Sequence, residues 1–284
     1  MATERLIAPS ALLTLPKQEK QNFFYHFHEA EINFGCGSRP CRMCCYSAPR
    51  YTSSLPSKTI KEIHSLKQEI APHIPFWHYR AGDPFYWRDE STNENYADIA
   101  RDAYEKGLAL SIQTHGWLAD EEIPQKAAYQ LVEWGKKHGK KNLVGVSIDP
   151  YGFIDIPRDI QELSIALTVQ TLEPILEHVT AFYNPQGTDE GGMEKVLELV
   201  MRTIPPHLQK NVKYESIFGA GRANTLDQKP TELFIPSTIG YSLRHNGTIV
   251  FTQEMNGRQY AQGNIFTSLK TPLPLPIPRP PDFD

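Results

Sequence analysis

The chain has 284 residues, 40% hydrophobic and 22% charged, with a net charge of −4. This is the composition of a globular protein with a sizeable core, and it excludes collagen-like and low-complexity chains. The balance of charge gives no general attraction to nucleic acid or anionic membrane, although it leaves room for a local basic groove. No apolar run reaches transmembrane length. Met1 to Lys20 carries Pro9, Pro16 and scattered charge instead of the apolar block of a secretory signal. A cytoplasmic, reducing location is expected, where clustered cysteines favour metal over disulfides.

Residues 1–28 read as an irregular lead-in, and Glu31 to Phe34 as a short strand. That strand runs into residues 36–45, Cys-Gly-Ser-Arg-Pro-Cys-Arg-Met-Cys-Cys, which hold all four cysteines of the chain. Cys41 and Cys44 have the C-x-x-C spacing that lets two thiolates address one metal centre, and Cys36 adds a third across a loop. Thiolates are soft ligands that select zinc, copper(I) or iron–sulfur clusters. Three readings stand side by side. A closed structural zinc site needs four ligands, so it must use adjacent Cys44 and Cys45 together or recruit a distant histidine. A redox dithiol needs only C-x-x-C. The third reading is a cubane cluster held by three cysteines, with one iron open.

Beyond the cysteines, strands and helices alternate. Ser57 is placed to cap a helix to about Ile70, with Ile60, Ile63, Leu66 and Ile70 at helical spacing. Strand two, about Pro75 to Arg80, leads into Ala81-Gly-Asp-Pro84. A helix from Tyr96 to Lys106 stops at Gly107. Strand three, Leu108 to Gln113, enters Thr114-His-Gly116. The helix from about Glu121 ends near the basic run Lys136 to Lys141, where lysines suit a helix C-terminus. Strand four is Leu143 to Ile148, followed by a helix over roughly Asp159 to Leu176. Strand five is His178 to Tyr183, followed by a helix from Glu194 to Thr203. Strand six, Val212 to Ile217, runs into Gly219-Ala-Gly-Arg222.

Six strands alternating with helices predict a parallel α/β architecture with right-handed connections. Six units are too few for a closed eight-fold barrel, so the expected fold is a partial (β/α)6 TIM-like barrel with a small C-terminal β extension. Phe76, Leu110, Ile112, Val144, Val146 and Ile148 are assigned to the helix-covered face. His78 and Arg80, Ser111 and Gln113, Ser147 and Asp149, and Lys213 and Glu215 are assigned to the inner face. Polar groups there predict a wet, substrate-holding cavity, since burying them unpaired costs several kcal/mol each. After residue 223, Asn246-Gly247 signals a hairpin turn before Thr248 to Thr252. The proline-rich residues 271–284 are expected to be extended. The domain reading is therefore 1–28 lead-in, 29–223 barrel, 224–270 extension and 271–284 tail.

In this order, the motifs resemble those of the radical S-adenosylmethionine (SAM) enzymes. The cysteine triad follows strand one. Ala81-Gly-Asp-Pro84 stands where the family has Gly-Gly-Glu-Pro, Thr114-His-Gly116 where it has Thr-Asn-Gly, and Ser147-Ile-Asp149 where many members carry Ser-x-Asp. The triad spacing here is four then two residues, against three then two in the family, so Cys36, Cys41 and Cys44 are the favoured set and Cys45 the alternative third ligand. Ser242 to Val250, with Gly263-Asn-Ile, is similar to the SPASM/twitch extension of peptide-modifying members, without its cysteines.

The resemblance implies one 4Fe-4S cluster, SAM bound at its open iron and an external flavodoxin- or ferredoxin-like electron donor. It implies SAM contacts from Gly82, Asp83, Pro84, Thr114, His115, Ser147, Asp149 and Arg222. Asp83 is expected to offset the charge of the methionyl amino group. Lys213 and Glu215 are candidate substrate-handling groups. Tyr151, Tyr183 and Tyr214 are candidate donors to a product radical, because no cysteine follows Cys45. A nucleoside- or tRNA-modifying enzyme and a non-catalytic zinc module remain alternatives.

Overall fold

Strand one sets the frame. It spans Phe27–Ala30, earlier than the sequence pattern suggests, and Asn33–Phe34 forms a separate two-residue ladder with Ser53–Ser54. The computed structural model describes residues 10–36, 41–42, 53–78, 82–153, 155–186, 191–217, 240–252, 259–270 and 273. The lead-in is not irregular where described: it holds helices Ser10–Leu13 and Lys17–Tyr25. Phe23, Phe24 and Phe27 pack against one another there, with ring centroids 5.0–6.0 Å apart.

Among the described residues, six parallel strands, strand one included, run in chain order, each beside the next. Strand two, Phe76–Trp77, lies between strand one and Leu110–Ser111. Strand three is broken at Ile112: Leu110–Ser111 pairs with strand two, and Gln113–Thr114 pairs with strand four, Val144–Ile148. Strand five, Leu176–Tyr183, joins strand four to strand six, Val212–Ser216. Helices Ser57–Ile70, Tyr96–Glu105, Glu122–Lys137, Arg158–Leu172 and Met193–Thr203 fill the crossovers, the arrangement that parallel pairing demands. Asn95 and Asp98 form a reciprocal capping box at the start of the second of these. Ser57 is not the cap of the first. It is the first helical residue, and its amide donates to Asp89 Oδ2 at 2.8 Å from a neighbouring hairpin.

The strand faces sort by the period of two. Val144, Val146, Ile148, Val179 and Ala181 are buried in the main apolar core with Leu131, Val169 and Leu199 from the helices. On the other face the register aligns Ser147 with Thr180 and Thr180 with Lys213. His78 does not belong to that polar row. It shares parity with Phe76, so both face the helices, and His78 is fully buried against His64. The assignment to opposite faces broke the two-residue period. Arg80 lies outside the described residues.

The chain then returns to strand one. Gly240–Leu243 adds to it in parallel, with Phe27 opposite Tyr241 and Ala30 opposite Leu243. Thr248–Thr252, Gln259–Asn264 and Ser268–Leu269 continue the sheet antiparallel. The Asn246-Gly247 turn and the Gly263-Asn-Ile segment support each other: Asn264 Nδ2 donates to the Asn246 carbonyl at 2.8 Å, and the Ile265 amide to the Gly247 carbonyl at 2.9 Å. Of the proline-rich tail, only Leu273 is described. It is buried, and its amide reaches Glu19 Oε2 at 3.2 Å. No helix among the described residues is long and apolar enough to cross a membrane.

Candidate functional site

The ends of strands one to four bring the first three sequence motifs together. Asp83 is the junction. It is 4% exposed, and its carboxylate accepts three hydrogen bonds. Oδ2 takes the Thr114 hydroxyl at 2.6 Å and the His115 amide at 2.8 Å; Oδ1 takes the Phe85 amide at 3.0 Å. Pro84 opens a single 3-10 turn, Pro84–Tyr86, that Asp83 caps. Burial pushes the Asp83 carboxyl above its usual range, while the Thr114 hydroxyl and the His115 ring and amide pull the other way. Asp83 thus ties the loop after strand two to the loop after strand three. Three of the roughly four acceptor positions of its carboxylate are used within the protein.

The same loop touches the cysteine segment. The Asp83 amide donates to Cys36 Sγ at 3.1 Å. Asn33, just before that segment, donates through Nδ2 to the Asp83 carbonyl at 2.9 Å and the Gly35 carbonyl at 3.2 Å. Gly82 is forced by this approach: a Cβ there would sit 2.6 Å from the Gly35 carbonyl oxygen and 2.9 Å from Asn33 Nδ2. Asn33 did not stand out in the sequence, since its partner lies 50 positions away.

Cys36 is partly exposed and Cys41 buried. Cys41 forms an isolated antiparallel bridge with Phe153, and the next amide, that of Arg42, donates to the Gly152 carbonyl at 2.9 Å. The cysteine loop is thereby pinned to the segment after strand four. Cys44 and Cys45 lie outside the described residues, as does Arg222. Among the described residues, no group of three or more His, Cys, Asp or Glu side chains is arranged to hold a metal ion. Two thiols on one loop, one of them already accepting a backbone N–H, are a donor set that suits a thiolate-ligated cluster, whose properties such bonds tune.

The remaining candidates divide. The Thr114 hydroxyl donates to Asp83 and accepts the Gly116 amide at 3.0 Å, so it serves the loop. Gly116 has φ +87°, and a Cβ there would meet Thr168 Oγ1 at 2.8 Å. His115 has a buried Nδ1 with no partner among the described residues, and burial lowers the ring below its usual range. Its ring centroid lies 6.5 Å from that of Phe182, on the face carrying Thr180. Ser147 accepts a hydrogen bond from Gln113 Nε2. Asp149 Oδ1 accepts the Gly152 amide at 2.7 Å, closing the turn that faces Cys41.

Tyr151 is buried, with its hydroxyl accepting Asn184 Nδ2 at 3.1 Å and the Arg42 guanidinium 5.7 Å from its ring centroid. Tyr183 is half-buried at the end of strand five, while Lys213, Tyr214 and Glu215 are exposed on strand six. His178, which the sequence reading left out of the inner face, sits beside Gly145, whose Cβ would lie 2.9 Å from its Nε2. Burial, then Lys213, lowers its ring below the usual range.

No family model matches this sequence, and no curated protein matches it. Among solved structures, the chain is similar to Streptococcus suis SuiB bound to precursor peptide SuiA, with a TM-score of 0.48 and 10% identity over 89% of this chain and 65% of that one. It is also similar to a second crystal structure of Streptococcus suis SuiB, with a TM-score of 0.39 and 11% identity over 82% of this chain and 62% of that one. The chain spans less than two thirds of the length of SuiB.

Proposed function

We propose that the chain is a radical SAM enzyme built on a partial (β/α)6 barrel, with one 4Fe-4S cluster held by Cys36, Cys41 and either Cys44 or Cys45. The observation that carries this reading is the bond from the Asp83 amide to Cys36 Sγ. It brings a cysteine loop and a Gly-Asp-Pro loop into contact at the C-terminal ends of adjacent parallel strands, the end at which such folds place their chemistry. When bound, the cluster and SAM supply one-electron reduction and a carbon radical able to take a hydrogen atom from a substrate.

The chain's own residues position and shield. Asp83, Thr114 and Asn33 fix the two loops against the cysteines. The buried, unpartnered Nδ1 of His115 is an acceptor offered to a bound molecule. Gln113, Ser147, Thr180, His178, Lys213 and Glu215 form the polar row along which a peptide or small-molecule substrate lies. Tyr151 and Tyr183 are candidate donors to the product radical. An external flavodoxin- or ferredoxin-like protein supplies electrons.

The test is anaerobic reconstitution followed by incubation with SAM and a chemical reductant. Formation of 5′-deoxyadenosine and methionine is expected. A colourless chain holding one zinc and leaving SAM intact supports the zinc module instead.

A further inference from the structure

A second polar cluster lies behind the loops, between strand two and its covering helices. His64 Nδ1 is 2.7 Å from Asp102 Oδ2, His64 Nε2 is 2.9 Å from His78 Nε2, and the Tyr96 hydroxyl is 3.4 Å from His78 Nδ1. Both imidazoles are fully buried and stacked, with centroids 4.9 Å apart.

Donor and acceptor counting sets every proton. A carboxylate only accepts, so His64 carries its proton on Nδ1 and presents Nε2 as an acceptor. His78 must then donate from Nε2, which leaves its Nδ1 to accept the Tyr96 hydroxyl. The chain runs one way, from Tyr96 through a hydrogen-bonded histidine pair to Asp102. A proton added to His64 Nε2 would set two N–H groups against each other at 2.9 Å.

Burial favours the neutral pair over the pull of Asp102. Asp102 favours a positive His64, Lys106 beside it and Lys61 on the His64 helix oppose it by less, and His64 opposes charge on His78. Burial is the largest effect, and it lowers both rings below their ordinary range. Burial raises the Tyr96 phenol, as do Tyr104 and Asp83.

The far end of this chain reaches the candidate site. The Tyr96 ring packs edge-on against Phe85, at 5.3 Å, and Phe85 both donates its amide to Asp83 and packs on Trp117, which follows Gly116. His78 itself is four residues before Gly82 on the same strand end.

We propose that His64, His78 and Tyr96 are positioning residues: a directed, neutral hydrogen-bond chain that holds the Gly82–Asp83 loop against Cys36 and Thr114 and lets go when the histidines take up protons. The inference rests on the proposed function only for what that loop binds. The sign follows from linkage. Each ring is harder to protonate when folded, so the unfolded or opened form binds more protons below about pH 6.5, and stability is lost as pH falls from there towards the folded values. One proton taken up on opening raises the opening equilibrium by about tenfold per pH unit in that window.

Two measurements on the full-length chain as isolated test it. Nitrogen-15 spectra of the histidine rings at pH 7.5 should show His64 protonated on Nδ1 only and His78 on Nε2 only. Hydrogen exchange corrected for intrinsic rate should show amides of residues 82–87 and 115–116 losing about tenfold in protection between pH 7.5 and 5.5, with helix Glu122–Lys137 unchanged. His78→Gln, which removes one of the two titrating rings, should make that loss smaller. The opposite tautomers, a charged ring at pH 7.5, or a loss of protection spread equally over helix and loop would overturn the proposal. A chain that binds no iron and no SAM would sink the proposed function while leaving these readouts interpretable.

Discussion

Asp83, in the loop after strand two, and Glu215, near the end of strand six, are both carboxylates, yet the molecule treats them oppositely. Asp83 is buried and gathers three donors from two loops. Glu215, with Lys213 beside it on strand six, is exposed and makes no ion pair among the described residues. The difference separates two kinds of polar residue in one site. Those after strands two and three are spent on holding the loops, while those on strand six remain uncommitted. A residue of the first kind influences chemistry through geometry, and one of the second kind only by touching a substrate.

Substitutions should break that contrast in order. Asp83→Ala leaves the Thr114 hydroxyl and two amides buried without a partner, and it should cost about 3 kcal/mol in urea unfolding, with the cluster site lost as well. Gly82→Ala drives a methyl group into the Gly35 carbonyl and Asn33, and should cost about 2 kcal/mol while separating Asp83 from Cys36. Faster alkylation of Cys36 in the metal-free chain would register that separation. Lys213→Ala and Glu215→Ala should change unfolding by less than about 0.5 kcal/mol and leave substrate-free SAM cleavage unchanged, yet lower substrate turnover. Equal losses of stability at Glu215 and Asp83 would erase the distinction.

The parallel series was readable because each strand–helix unit carries its own local signal. Val144–Ile148 is a continuous apolar-and-small run, and Tyr96–Glu105 has its capping box within four residues. The start of strand one was not readable, because Phe23, Phe24 and Phe27 give an aromatic cluster that fits helix and strand alike. Candidate residues were found by type and position, but their duties were not. Asp83 was found through its motif, but its bonds to Thr114 and His115 span about thirty residues. Asn33 and the His64–His78 pair depend on contacts over 50 and 14 positions that no local pattern encodes.

The central claim is that Cys36 and its neighbours hold one open cubane, and iron counting in a cysteine series tests it most directly. After anaerobic reconstitution the native chain should hold about three to four irons with matching sulfide, as expected for one cluster on three thiolates. Cys36→Ala, Cys41→Ala and Cys44→Ala should each remove the iron and its absorbance, whereas Cys45→Ala should keep both. An iron count near eight, cluster signal surviving in the Cys36/Cys41/Cys44 triple alanine variant, or zinc in place of iron would contradict the account.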